Sequence, residues 1–359
     1  MKLEESISKI KKLLTRSPDR IGIDLEGGTL KYVKFSRHAG SLVLEAYGLI
    51  DINFKEASDE EKEQVKLFLK EICGKSKSCG IALEHDSLRV RRMSLADMPD
   101  FDLQEAIRWN FREHIECSID DYQVGHSPIP EFSQEGKKAL MAYGVSNEAV
   151  KEYSEYAKSL GLKLVSLEPV VSALGSILNA NNLLSDDKHT VSLFIGEDTA
   201  YFTVLSQQSA LFSRPLTNSS IKSLVSLFAQ QLGVGGQQAI VKVGEILREQ
   251  TLALHRGVPF ALDSANETLM KQFRSQLVIE TQRSIDAFCI MYGLDKIDEI
   301  YVCGLGVAVP GLVEQLNHAL GVATKIFDPF EHIPAVEDFD NTLQHRRFEF
   351  SIAAGMAVP

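Results

Sequence analysis

The stretch Ile21-Gly-Ile-Asp-Leu-Glu-Gly-Gly-Thr-Leu-Lys31 decides how this chain is read. An apolar run ends in Asp24, passes through a glycine-bearing turn and leaves on Lys31. A strand, a tight turn and a second strand in this order can cradle phosphates on backbone N–H groups, with an Asp carboxylate holding a hydrated metal. Glu26 is at odds with that task. Read as part of the turn, it puts a carboxylate where a nucleotide phosphate needs bare backbone. The plainer alternative is an ordinary strand hairpin.

Composition narrows the choice. The chain has 359 residues, room for two or more domains, and 44% of them are hydrophobic and 24% charged, as in an ordinary globular protein. The net charge is −11, which argues against nucleic acid as the main partner, because such binding neutralises phosphates. Arg89, Arg91, Arg92 and Arg108 form a local basic set that reads as a solvated face. No stretch reaches the roughly 20 apolar residues of a membrane span. The opening Met-Lys-Leu-Glu-Glu lacks the apolar core of a signal peptide, so a cytoplasmic location is expected. The five cysteines show no metal-ligand spacing and read as reduced, buried thiols.

Residues 3–14 place Leu3, Ile7, Ile10 and Leu14 at helical spacing among lysines, a short basic amphipathic helix that packs on its own domain or touches an anionic membrane. Strands follow at Arg20–Leu25, Thr29–Phe35 and Ser41–Tyr47, then a helix at Glu60–Ile72. Gly80–Leu83 and Ser87–Met93 read as strands, Asp102–Ile115 as a helix, Lys138–Val145 as a strand and Asn147–Leu160 as a helix. Leu162–Leu167 reads as a strand and Pro169–Asn179 as a helix. After the polar linker Asn181–His189 the opening logic repeats: strand Thr190–Ile195, a turn at Gly196–Thr199, strands Ala200–Leu205 and Ala210–Arg214. Helices at Ser219–Leu232, Gly236–Glu249 and Asn266–Tyr292 come next. The chain closes with strand Ile300–Cys303, helix Pro310–Leu320, strand Ala323–Phe327 and helix Glu349–Ala357. Two halves that each begin with antiparallel strands around a glycine turn and then move to helices predict a duplicated α/β core with a ligand cleft between the halves.

Five motifs now stand in order: Gly22-Ile-Asp24 with Lys31, Ile279-Glu-Thr-Gln-Arg-Ser-Ile-Asp286, Cys303-Gly-Leu-Gly-Val-Ala-Val-Pro-Gly311, Asp328-Pro-Phe330 and Ser351-Ile-Ala-Ala-Gly-Met356. In this order and spacing the chain resembles the type IV pilus assembly PilM family, relatives of the cell-division protein FtsA, over roughly residues 18–359. The resemblance implies an actin-like (ribonuclease H-like) duplicated core, two lobes around a nucleotide cleft, with an FtsA-type 1C insertion. It divides the chain into an N-terminal helix (1–17), subdomain 1A (18–79), 1C (80–165), a return to 1A (166–189), 2A (190–215), 2B (216–295), and 2A with a final 1A helix (296–359).

The resemblance also carries a nucleotide site onto this sequence. In the first phosphate loop Asp24 and Lys31 stand, Gly27, Gly28 and Thr29 keep the turn small, and Asp24 is the expected metal anchor for Mg with ATP or ADP. The glycine two residues after the Asp has become Glu26. The second loop, usually Asp-Ile-Gly, reads Phe194-Ile-Gly196, with Asp198 and Thr199 as the nearest substitutes. Glu168 takes the place of the acidic residue that orients an attacking water, or serves only as a carboxylate beside a helix start. Glu280, Arg283 and Ser284 match the long-helix signature beside the nucleoside, and Lys242 survives from the 2B signature. The adenosine loop keeps Gly304 and Gly306 around Leu305, and Pro310 is expected to open a helix.

With three loops each altered, nucleotide binding is expected to be weakened or lost and hydrolysis negligible. What the resemblance implies instead is a cytoplasmic scaffold at the inner membrane. It would bind the short N-terminal tail of a PilN-like membrane protein in a groove at the 1A/1C junction, with other pilus or secretion components around it. Ser87–Met93 and Asp102–Ile115 are the candidate groove walls. The competing enzyme reading, an active ATPase or kinase of the same superfold, requires an intact phosphate site.

Overall fold

The computed structural model describes residues 20–359 except 39, 55, 75, 76, 116, 208, 338 and 341. The expected helix at residues 3–14 lies outside the described residues. Three sheets organise the chain. The first has the order β3-β2-β1-β4-β8, built from β1 (Ile21–Glu26), β2 (Thr29–His38), β3 (Ser41–Asp51), β4 (Ser78–Leu83) and β8 (Lys163–Pro169). The second has the order β11-β10-β9-β12-β13, from β9 (Thr190–Ile195), β10 (Ala200–Leu205), β11 (Ala210–Pro215), β12 (Glu299–Cys303) and β13 (Ala323–Ile326). In both, three antiparallel strands precede two parallel ones, so the halves share one topology. The third sheet, β5-β7-β6, is the insertion, made of β5 (Arg89–Ala96), β6 (Tyr122–Pro128) and β7 (Lys137–Ser146).

Helices follow from the sequence period and its caps. Helix α1 (Asp59–Cys73) starts at a capping box, Ser58 with Glu61, and buries Val65, Leu69 and Cys73 on one face. Helices α2 (Asp100–Phe111), α3 (Asn147–Ser159) and α4 (Val170–Ala180) belong to the first half. Helices α5 (Ile221–Leu232), α6 (Gly236–Arg256) and α7 (Ser264–Tyr292) form the outer part of the second half, followed by α8 (Leu312–Leu320) and α9 (Ser351–Ala357). The apolar faces of α5 to α8 join the second sheet in one core that includes Phe202, Phe228, Phe273 and Phe288.

Several boundaries differ from the sequence reading. Helix α6 runs to Arg256, because Leu247, Thr251 and Ala253 continue its buried stripe up to the stop at Gly257. The chain from Gly304 to Ala308 winds as a 3-10 turn and α8 begins at Leu312, not at Pro310, since Gly311 takes the cap position. The last helix is shorter than expected: Gln344–Phe350 is a 3-10 segment before α9. Strand β6 has little apolar alternation and was not expected; pairing with β7 makes it a strand. The insertion is also narrower than 80–165, because β4 pairs with β1, and β8 with β4, inside the first sheet. Helix α3 lies on that same sheet through Ala149, Tyr153 and Ala157. Asn181 of the polar linker is buried (1% exposed) and donates to the carbonyls of Ile177 and Pro329, so it ties that linker to the second half.

A third cluster fills the space between the two large sheets, where α4 and α9 cross. The crossing is set by glycine. A Cβ at Gly355 would overlap the backbone carbonyl of Ala173, and one at Gly22 would overlap the backbone of Ala353 and Ala357. The insertion docks on the second half: Phe132 and Tyr292 rings lie 4.0 Å apart and the Arg92 guanidinium sits 4.8 Å from the Tyr292 ring.

These contacts predict opposite outcomes for two glycines. Gly355→Ala meets backbone that cannot swing aside, and is expected to cost at least ~3 kcal/mol, the upper end of ordinary overpacking. Gly244→Ala on α6 meets nothing within 4 Å and is expected to stabilise by ~0.5–1 kcal/mol. Urea unfolding midpoints of the two variants check both signs.

Candidate functional site

The site starts from the hairpin period. Strand β1 runs through Glu26, and the turn is only Gly27-Gly28, both with positive φ (60° and 77°). Residues two apart on a strand share a face, so Asp24 and Glu26 point the same way, and Lys31 stands opposite Asp24 on the neighbouring strand. The three are buried at 3%, 4% and 5% exposure. Lys31 Nζ donates to Glu26 Oε2 at 3.1 Å and lies 3.5 Å from Asp24 Oδ2. Glu26 is therefore not in the turn, as the sequence reading had it, but on the strand face beneath it.

The second half brings a matching turn. Gly196 N–H donates to Thr199 O at 2.8 Å, and the first amides of α5 donate to the carbonyls of Gly196 and Glu197. The two turns meet directly. Asp198 N–H donates to Glu26 Oε1 at 3.3 Å, and Gly27 N–H donates to Asp198 Oδ2 at 3.2 Å. Lys222 of α5 donates to Asp198 Oδ1 at 3.1 Å. A Cβ at Gly196 would overlap the Glu26 carboxylate, and one at Gly27 would overlap that of Glu197.

Charge at this junction is crowded. Burial pushes the Glu26 carboxyl up to about 7 against the pull of Lys31, with Asp24 adding to the rise. Burial also raises Asp24 above the carboxylate range. At Glu84, just past β4, burial and then the nearby Glu26 push the carboxyl up to about 8. Burial alone would lower Lys31, but Glu26, Asp24 and Glu349 outweigh it and hold the ammonium charged. The ammonium thus has two buried carboxylates beside it; burial is the main cause that raises both carboxyls, and Asp24 adds to the rise at Glu26.

This arrangement does not fit a phosphate or a divalent cation. The places left open by Gly27 and Gly196 are taken by the Glu197 and Glu26 carboxylates. At about 4 Å and an effective dielectric near 20, one carboxylate opposes a single negative charge by ~4 kcal/mol. Asp24, the expected metal anchor, has Lys31 at 3.5 Å and no hydrogen bond on Oδ2. Among the described residues no group of three or more His, Cys, Asp or Glu side chains is arranged to hold a metal.

Two cavities flank the junction. One, of about 940 Å³, opens between α5, α6 and the Gly304–Ala308 turn, walled by Ile221, Val225, Val243, Leu247 and Leu305, with Arg248 among its polar groups. The other, of about 590 Å³, lies on the far side of the hairpin, among Phe54, Glu84, Tyr153, Tyr156 and Tyr201.

The structure gathers part of the sequence-derived set. Asp24, Gly27, Gly28, Thr29, Lys31, Gly196, Asp198 and Thr199 converge on the floor between the sheets, and Leu305 lines the larger cavity. The rest go elsewhere. Glu280 is buried, accepting from Arg214 at 3.1 Å and Arg283 at 2.8 Å, while Ser284 donates to Glu280 O; none of Glu280, Arg283 and Ser284 lines either cavity. Lys242 is off the stripe Ile240, Val243, Gly244, Leu247, Arg248 and Thr251 that α6 turns to the larger cavity. Gly304 and Gly306 face strand β9, where a Cβ would meet Ile195, so their smallness serves packing. Glu168 ends β8 beside Arg20 at 3.5 Å and lines a third cavity of about 310 Å³ between α4 and the β10–β11 hairpin, not the junction of the turns. Phe194, at the place of the second-loop Asp, is core.

Glu84, Glu197, Lys222 and Glu349 were missed by the sequence reading. No local pattern marks them. The Gly27-Gly28 turn itself was the available signal for Glu26, since a two-residue hairpin fixes which residues share a face.

The raised carboxyls predict an inverted pH dependence. Glu84 ordinarily ionises near 4.5 but holds its proton to about 8 in the fold. Between those values the unfolded chain binds fewer protons, so rising pH removes stability. Glu84→Gln is therefore expected to gain stability over the unsubstituted protein, and by more at pH 9 than at pH 6. Denaturant unfolding of both proteins at both values measures this difference.

Comparison with known proteins fits the geometry of the fold. A search of the curated proteins finds no match to this sequence. Among solved structures, a PilM–PilN type IV pilus biogenesis complex matches at 21% identity over 95% of this chain and 98% of that chain, with a TM-score of 0.76. The ethanolamine utilization protein EutJ from Carboxydothermus hydrogenoformans matches at 14% identity over 100% of this chain and 98% of that chain, with a TM-score of 0.48. The cytoplasmic domain of EpsL, an inner membrane component of the Vibrio cholerae type II secretion system, matches at 13% identity over 57% of this chain and 74% of that chain, with a TM-score of 0.36. The fold is the actin-like α/β core expected from the sequence. The family model of type IV pilus assembly protein PilM spans residues 22–359, from the first strand through both lobes to the end, and the chain belongs to that family.

Proposed function

We propose that this protein is a scaffold of type IV pilus assembly that binds the short cytoplasmic tail of a PilN-like membrane protein and does not turn over ATP. Family membership supports the pilus role, and the similar solved structure is of a PilM with PilN. Among the described residues no helix is long and apolar enough to cross a membrane. In this reading a PilN-like membrane partner holds the protein at the cytoplasmic face of the inner membrane.

One observation carries the loss of nucleotide chemistry: the Glu26 carboxylate, fixed by Lys31 at 3.1 Å and Asp198 N–H at 3.3 Å, lies between the two turns that would hold phosphates. A phosphate entering there meets Glu26, Glu197 and Asp198 before it meets Lys31. Glu168, at the third cavity, does not stand where it could activate water at this junction. Among the described residues the cations at the junction, Lys31 and Lys222, are already paired with Glu26 and Asp198, which leaves little positive charge free to stabilise a phosphoryl-transfer transition state.

For the peptide we keep the groove at the 1A/1C junction; what supports it is that the insertion offers β5 at the edge of its sheet and α2 with Phe101 and Trp109 exposed at 74% and 69%. Large exposed aromatics are common anchors for a partner.

Two measurements test this. Calorimetric titration with ATP and Mg²⁺ is expected to show no binding at about 1 mM, the affinity equivalent of ~−4 kcal/mol; micromolar binding sinks the nucleotide-free reading. Hydrogen exchange with a PilN-like N-terminal peptide is expected to protect Ser87–Met93 and Asp102–Ile115. Protection confined to α6 and α7 rejects the proposed groove.

A further inference from the structure

We propose that the Glu26 carboxylate is a resident ligand of the cleft: it stands where an anion bridging the two turns would stand, and with Asp198 it clasps the lobes without any small molecule. The inference rests on the reading that the cleft does not run on nucleotide.

The turns belong to different sheets, Gly27-Gly28 to the first and Gly196–Thr199 to the second. Between them the chain presents the groups that capture an oxyanion: facing backbone N–H groups of Gly27 and Asp198, a buried ammonium on Lys31 and bare glycine on both sides. Each is already engaged. Glu26 crosses from the first sheet to accept from Asp198 N–H and holds Lys31, while Asp198 crosses back to accept from Gly27 N–H. The exchange is reciprocal, one carboxylate from each lobe. In each direction a side-chain carboxyl oxygen of one lobe accepts from a backbone N–H of the other.

A tethered carboxylate differs from a diffusing anion in one respect. It loses little translational freedom on binding, so the site is filled at any ligand concentration. The lobes of this protein are then held in one relative position all the time. An incoming anion has to displace Glu26 before it reaches Lys31, and Glu197 and Asp198 oppose it meanwhile.

Hydrogen–deuterium exchange on the full chain tests the clasp. Glu26→Ala is expected to speed exchange in both turns by about tenfold or more, the scale of a lost hydrogen bond to a charged group. Magnesium pyrophosphate, added as a probe, is expected to slow it again in Glu26→Ala and to change nothing in the unsubstituted protein. Asp198→Ala removes the acceptor of Gly27 N–H from the other lobe at a less buried position, and is expected to speed exchange at Gly27 and Gly28. It serves as the test if Glu26→Ala fails to fold. Unchanged exchange at residues 196–199 in a folded Glu26→Ala protein, or at Gly27 and Gly28 in Asp198→Ala, overturns the proposal. Fast exchange in Glu26→Ala, together with Mg-ATP protection of the unsubstituted protein, supports the clasp and overturns only the nucleotide-free reading.

Discussion

The buried ammonium of Lys31 is the constraint around which the centre of this molecule is arranged. A charge at 5% exposure is tolerable only with a partner of opposite sign and satisfied hydrogen bonds. Asp24 and Glu26 provide the charge because the hairpin places all three on one face. Two carboxylates against one ammonium leave an excess of negative charge, and the second lobe relieves it with the Asp198 N–H. In this way an ion cluster inside one sheet becomes a contact between two. Removing Lys31 would strand two buried carboxylates, whereas removing either carboxylate leaves the ammonium one partner.

Backbone packing is a second constraint at the centre of the molecule. Helices α4 and α9 cross between the sheets at backbone contact, with Gly355 on Ala173 and Gly22 beneath α9. Packing there is insensitive to pH and salt, whereas the carboxylate junction depends on both. Glycine sets how closely α9 packs on α4 and on the first sheet, and the Glu26–Asp198 exchange joins the two turns. The flanking cavity of about 940 Å³ shows that the cleft remains open beyond the turns.

The duplicated core was legible because hydrophobic period and glycine punctuation are local. Strands β9 and β10 and the turn between them agree with the sequence reading, and the starts of α3 and α6 were found at the same residues. Strand β6 was invisible, since its residues Tyr-Gln-Val-Gly-His-Ser-Pro carry no alternation and only β7 makes them a strand. The extent of the insertion failed for a similar reason: β4 and β8 look like any apolar strands until their partners are known.

The sequence by itself determined the family, the repeated strand-turn-strand of each half and the set Asp24, Glu26, Gly27, Gly28 and Lys31, because each rests on residues close in the chain. Only the tertiary structure decided what those residues do together. Glu26 and Asp198 are 172 residues from their partners across the junction in one direction and 171 in the other. No local pattern encodes such a meeting. It also decided that Glu280 pairs with Arg214 and Arg283, that Ser284 bonds back to Glu280 O, and that Gly304 and Gly306 pack on Ile195. A motif fixes residue types along a segment, but the direction each side chain faces depends on which neighbour the fold packs against it.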